Sequence, residues 1–158
     1  MIDSVGQRLL LSPSIRVDLH DVRECSRQVI AGLSPLPTDW DGLIGALSRE
    51  LLPGWTEEWL ILERERWDQE RVYALESLSQ QLLTAERYLP ALQAALTAIA
   101  VDPIRETAHR TLIEVHLAEG NVACAIKRYQ DYRAFLQREL RVAPSPQMTQ
   151  MLRDSMPR

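Results

Sequence analysis

The sequence predicts an all-α protein, a stack of antiparallel helix pairs with room for a short N-terminal β-hairpin. Three observations carry this. Of 158 residues, 46% are hydrophobic and 25% charged but only 6% aromatic, so charged residues interleave with Leu and Ala as in helices while strand formers are scarce. Apolar residues recur at three- and four-residue spacings between capping residues and prolines. The second half of the chain, moreover, repeats itself at a fixed interval.

Residues 1–17 are the one place where strands are expected. Arg8-Leu9-Leu10-Leu11 and Ile15-Arg16-Val17 flank Ser12-Pro13-Ser14 and read as a hairpin turning at the proline. A lone hairpin is marginal in water, so this segment reads as the edge of something larger. Asp18 is the expected cap of a first helix over 19–32, with Leu19, Val22, Cys25, Val29 and Ile30 as its apolar stripe and Gly32 as its stop. Ser34-Pro35-Leu36-Pro37 is a linker. Thr38 then caps a helix over 39–52, with Trp40, Leu43, Ile44, Leu47 and Leu51 on one face and Pro53-Gly54 ending it.

Thr56 is the expected cap of a long third helix over 57–85, with Glu57 and Glu58 near its positive end. Leu60, Trp67, Leu75, Leu78 and Leu82 keep to one face. The charged run from Glu63 to Arg71 interrupts that pattern, so the first half of the helix is expected to project from the body. Helices over 88–100, 104–119, 121–139 and 146–155 follow. Their punctuation is Pro90, Asp102-Pro103, Gly120-Asn121, and Ser145 capping with Pro146 at the first helical position.

A shift of 34 residues superimposes Ala74 on Ala108, Leu78 on Leu112, Leu83 on Leu117, Ala91 on Ala125 and Leu92 on Ile126. That period, built of two helices, is the tetratricopeptide signature. Ala91, Ala98 and Ala125 fall where paired helices approach closely, and Pro103 falls in the turn between repeats, where a missing N–H is tolerated. Two units are near the minimum for a stacked array, so the helices of 57–85 and 146–155 are expected to cap it.

Charge and composition narrow the function. The net charge is −4, whereas duplex binding draws most of its affinity from a clustered basic footprint. Charge is also uneven: residues 55–86 hold eight acids against three arginines, and residues 87–158 ten bases against seven acids. Cys25 and Cys124, far apart and without a CxxC spacing, read as reduced, buried small hydrophobes of a cytoplasmic protein. No apolar run reaches the ~18 residues of a membrane span.

No phosphate-cradling glycine loop, nucleophile elbow or zinc-binding HExxH occurs, so no catalytic, cofactor or metal residue is assigned. His109 and His116, seven apart on one helix, lack the i, i+4 spacing or third convergent ligand a metal would want, and read as packing. Glu63-Arg64-Glu65-Arg66 reads as a solvated face, since adjacent helical positions diverge.

The stretches EWLILERERWDQERVYALESLSQQLL and DPIRETAHRTLIEVHLAEGNVACAIKRYQDYRAFLQRELRVAPSP resemble the bacterial transcriptional activation domain of the Streptomyces antibiotic regulatory protein family. The most specific pieces are Asp102-Pro103-Ile104-Arg105-Glu106, Ala108-His109-Arg110, Ala125 with Tyr129, and Pro144-Ser145-Pro146. Arg141 stands where the family often has a glycine. In that family a winged-helix DNA-binding domain precedes this one and leads into a segment like Val17-Asp18-Leu19. The resemblance therefore implies that residues 1–18 are the hairpin and linker remnant of such a domain, and residues 19–158 the tetratricopeptide-like activation domain.

By that resemblance the expected function is transcriptional regulation through protein contacts, with RNA polymerase, another regulator or a second copy in a homodimer as partner. DNA would be reached only through a separate domain. The competing readings are a general tetratricopeptide adaptor unrelated to transcription and a helical small-molecule sensor. Among the tryptophans 40, 55, 59 and 67, Trp59 and Trp67 are the leading candidates to anchor a partner. Arg128 and Arg133, beside Tyr129 and Tyr132, form a second candidate surface suited to an acidic peptide or a polymerase.

Overall fold

A computed structural model describes residues 2–5, 8–12, 15–32 and 35–155. Two strands, β1 (Ile2–Val5) and β2 (Arg8–Leu11), are followed by seven helices: α1 (Asp18–Ala31), α2 (Trp40–Leu47), α3 (Glu58–Thr84), α4 (Tyr88–Val101), α5 (Glu106–Ala118), α6 (Val122–Glu139) and α7 (Pro146–Asp154). The all-helical stack expected from the sequence is what folds.

The hairpin is displaced from its expected place. β2 pairs antiparallel with β1, Ile2 opposite Leu11 and Val5 opposite Arg8, not with Ile15–Val17. The Ile15 N–H donates to the Ser12 carbonyl at 2.9 Å, a local bond that leaves it no ladder partner. Pro13 and Ser14, the expected turn, and Ser34 of the linker lie outside the described residues.

Helix starts also move by a residue or two. Val17, not Asp18, is the N-cap of α1, and Asp18 sits in its first turn. Asp39 rather than Thr38 caps α2, its carboxylate accepting the Gly42 N–H at 2.9 Å. α3 begins after Glu57 with no side-chain cap, whereas Ser145 caps α7 as expected, with Pro146 in its first turn. α2 stops at Leu47, well before Pro53. The stripe of α1 is Leu19, Val22, Ser26 and Val29; Cys25 and Ile30 flank it and face solvent. Cys25 and Cys124 are both free and exposed, contrary to the expectation of buried thiols.

The 34-residue period is visible in three dimensions. Ala74, Ala108, Leu78, Leu112, Ala91 and Ala125 are all buried, and Leu83, Leu117, Leu92 and Ile126 are all half-buried, so each superimposed pair has the same environment. Both first helices end identically. At α3, Glu86 N–H bonds the Leu83 carbonyl and Arg87 N–H the Leu82 carbonyl; at α5, Gly120 bonds Leu117 and Asn121 bonds His116. These are Schellman closures with one left-handed residue each, Glu86 (φ 57°) and Gly120 (φ 81°), 34 positions apart. Gln80 on α3 donates to Glu114 on α5, the same position one repeat later.

α3 packs on α4, α4 on α5 and α5 on α6, with α1 against α3. One core joins α1 to α5 through Leu47, Trp67, Leu75, Leu78, Leu82, Ala91, Ala94, Ala98, Ala108 and Val115; a second joins α5, α6 and α7 through Ile113, Ala125, Tyr132, Leu136, Met148 and Leu152. All five positions of the expected α3 stripe are buried. No described helix is long and apolar enough to cross a membrane.

Candidate protein-docking surface

The sequence pieces that carry the resemblance meet at α5 and bond to one another. Arg105 is held by both oxygens of Glu76 on α3, at 2.8 and 3.0 Å, and lies 4.3 Å over the Tyr73 ring. The Glu76 hydrogen bond drives the Arg105 pKa still higher than usual, against the opposing effect of burial. Glu106 accepts the Ser145 N–H at 2.8 Å and the Ser145 hydroxyl; Ser145 in turn accepts from Met148 N–H. The Asp102–Glu106 and Pro144–Pro146 motifs are thus two halves of one latch that seats α7.

His109 belongs to the same junction. Its Nε2 donates to the Pro103 carbonyl at 2.9 Å, and its ring stacks on Tyr132 with centroids 3.9 Å apart. Burial, first among the causes, lowers its pKa below the ordinary 6.5. The same cause lowers that of His116, whose Nδ1 is buried without a hydrogen-bond partner among the described residues. Tyr132 donates to the Ile104 carbonyl at 3.0 Å, and burial together with Glu106 and Asp102 pushes its phenol up to about 12. Tyr129 shares a hydrogen bond of 2.9 Å with Thr149. Among the described residues no three His, Cys, Asp or Glu side chains converge as for a metal.

The charged run on α3 is not simply a solvated face, and the first half of α3 does not stand clear of the body. Arg64 donates to the carbonyls of Leu51, Leu52 and Trp55, and Arg71 to those of Leu47 and Ser48 while pairing with Asp68. Arg71 thus serves the open carbonyl end of α2 and Arg64 the loop beyond it, and together they hold the 47–55 segment back along α3. Trp67 is part of this arrangement: it is 3% exposed and its indole N–H donates to the Arg49 carbonyl at 3.0 Å.

Trp59 is different. It is 58% exposed, and Leu62, one turn on, is 61% exposed. Leu52, Trp55 and Ile61 are exposed at the same end, where Arg64 holds the linker. Glu57, Glu58 and Glu65 are exposed around them. Exposed apolar side chains therefore cluster in sequence at this end of α3, interspersed with the acidic Glu58 and Glu65, and the Trp59–Leu62 pair is its candidate anchor for a partner. Leu52, Ile61 and Leu62 were not singled out by sequence, although Leu62 falls three residues from Trp59 and off the buried stripe.

The second candidate surface divides. Arg128 and Arg133 are exposed on α6, whereas Tyr132 is buried and Tyr129 half-buried, their hydroxyls committed internally. Beside Arg128 a groove of about 260 Å³ runs between α4, α5 and α6, lined by Leu96, Ile99, His109, Asp131 and Phe135 among others.

The family model described as the bacterial transcriptional activator domain matches residues 40–154. The chain belongs to this family. No curated protein matches the chain significantly. The match begins at the first residue of α2 and ends at the last of α7, so it takes in the whole repeat stack of the activator domain, the Glu106–Ser145 latch and the Trp59 surface. α1 and the hairpin lie outside it.

Proposed function

We propose that this activator domain regulates transcription by docking a protein, RNA polymerase or another regulator, on the exposed apolar end of α3. The observation that carries the reading is the division of the tryptophans: Trp67 is used up by the core while Trp59 is left in water beside Leu62. Exposed aromatic anchors of this kind dominate binding energy when a partner covers them. Arg128 and Arg133 are a secondary contact. The chain works without chemistry of its own, in the cytoplasm. Its charge of −4 leaves DNA to a separate domain.

One paired experiment tests this. Trp67→Ala is expected to cost about 3–5 kcal/mol, as core tryptophans do, and Trp59→Ala less than about 0.5 kcal/mol, as exposed positions do. Urea midpoints separate the two, and a reporter driven by the regulator reads function. Trp59→Ala should fold normally and lose activation. A folded Trp59→Ala protein with full reporter output sinks the proposal.

A further inference from the structure

We propose that the hollow between α4, α5 and α6 binds a free aromatic α-amino acid, its ring among the apolar walls and its carboxylate and ammonium held by Arg128 and Asp131. This goes beyond the docking surface on α3 and stands independently of it.

Three helices each turn one face into this space of about 260 Å³. α4 gives Leu96 and Ile99, and α5 gives His109 and Leu112. α6 gives Arg128, Asp131, Tyr132 and Phe135, whose three- and four-residue spacings keep them on one side of the helix. Leu112 is 2% exposed, whereas Leu96 is 43% exposed, on a helix that carries no charged residue along its whole length. An apolar wall is thus left open to water. The Phe135 ring and the His109 ring stacked on Tyr132 suit a flat apolar group. The volume is near the lower end of ligand cavities, which run roughly 300–1,000 Å³, so the occupant has the size of a single amino acid.

Charge decides which apolar molecule fits. Arg128 and Asp131 are both exposed and stand one helical turn apart, yet they form no ion pair with each other or with any other described residue. At the same spacing Arg27 pairs with Glu24 at 2.9 Å, Arg66 with Glu63 at 2.6 Å and Arg71 with Asp68 at 2.7 Å. In those three the acid precedes the base. Arg128 before Asp131 is the reverse order, which a helix favours less, and it leaves both groups free for a ligand. Arg128 makes its charge felt in the hollow, where it adds to burial, the larger cause, in lowering the His109 pKa. A cation and an anion side by side over an apolar space complement a molecule that carries carboxylate and ammonium on the carbon bearing its apolar side chain. That molecule is an α-amino acid, with the guanidinium taking the carboxylate. A peptide terminus offers only one of the two charges.

Titration of the 15N-labelled full chain with L-phenylalanine, followed by amide shifts, tests this. Saturable shifts are expected on the faces of α4, α5 and α6 that line the hollow and not at Trp59, with a Kd of about 1 mM or tighter. N-acetyl-L-phenylalanine, which keeps only the carboxylate, and L-phenylalaninamide, which keeps only the ammonium, should each bind about tenfold more weakly or worse. Arg128→Gln and Asp131→Asn alter exposed positions and should melt as the wild type does, while each weakens L-phenylalanine about tenfold. Arg128→Gln should also remove the residual binding of the N-acetyl compound, and Asp131→Asn should leave it. No shifts, shifts centred elsewhere, an N-acetyl compound that binds as tightly as the free amino acid, or a variant that binds L-phenylalanine like the wild type overturns the proposal. None of these readouts involves the reporter, so the α3 docking surface stands or falls separately with Trp59→Ala.

Discussion

Glu86 and Gly120 occupy the same place in successive repeats and the same left-handed backbone, at φ 57° and 81°, yet only one is glycine. Left-handed backbone costs a side-chain-bearing residue about 1–2 kcal/mol, and glycine gives back about 0.4–1 kcal/mol through its freer unfolded chain. A Cβ built on Gly120 meets no atom within 4 Å, so no clash adds to the difference. Gly120→Ala should therefore destabilise, and Glu86→Gly should stabilise, each by about 0.5–1 kcal/mol. In a chain of this length that is about 1–4 °C in Tm, with opposite signs at symmetric positions. Calorimetry or urea unfolding of the two variants is the assay. A Gly120→Ala protein as stable as wild type, or a Glu86→Gly protein that melts earlier, would refute the shared Schellman geometry. Arg141 (φ 58°) extends the test: Arg141→Gly should stabilise as Glu86→Gly does.

Ala91→Leu and Ala125→Leu should each cost about 1–3 kcal/mol by overpacking two equivalent, fully buried contacts; unchanged melting of both would show that the repeat superposition has no packing content. Glu106→Ala removes the acceptor of the Ser145 N–H and hydroxyl and should cost about 1.5–3 kcal/mol, with amide exchange speeding up in α7 more than in α4; equal exchange in both helices would count against the latch. His109 and His116 have lowered pKa values, so the unfolded chain binds more protons near neutrality and stability must fall with acid. That contribution is complete above the ordinary value of 6.5 and is lost as pH drops through it. The urea midpoint should fall below it in the wild type, and fall less in a His109→Gln, His116→Gln double variant.

The architecture was legible because it is written in local terms. The α3 stripe, the small residues of α4 and α6 and the 34-residue spacing each report a helix face, and faces pack where their period says. What the sequence did not yield are partners distant along the chain. Arg64 and Arg71 look like members of a solvated charge run, and only the return of residues 47–55 shows that Arg71 serves the end of α2 and Arg64 the loop after it. Trp59 and Trp67 look alike as tryptophans, but Trp67 is seven residues from Leu60 and shares its buried face, whereas Trp59 falls one step off. Cys25 fits an apolar pattern by type; Ser26 takes the inward place instead, its hydroxyl donating to the Val22 carbonyl at 2.8 Å. For Tyr129 and Tyr132, aromatic side chains beside arginines suggested a surface, while their hydroxyls tie α6 to Thr149 of α7 and to the Ile104 carbonyl just before α5.

At 27 residues α3 is about 40 Å long, and it contains neither glycine nor proline. Its C-terminal half is the first member of the repeat stack and its N-terminal end bears Trp59. α1 braces it at two levels, Arg23 on Glu70 at 2.8 Å and the Val29 carbonyl on Gln81 at 2.7 Å. Such a rod behaves as a stiff lever with its fulcrum in the first core: a load applied at Trp59 has no hinge in which to dissipate. Tilting it must strain the Arg105–Glu76 and Gln80–Glu114 bridges, which join α3 to the start and the middle of the second repeat. A partner docked at Trp59, as proposed, would therefore load the bridges that seat α5, tens of ångströms away.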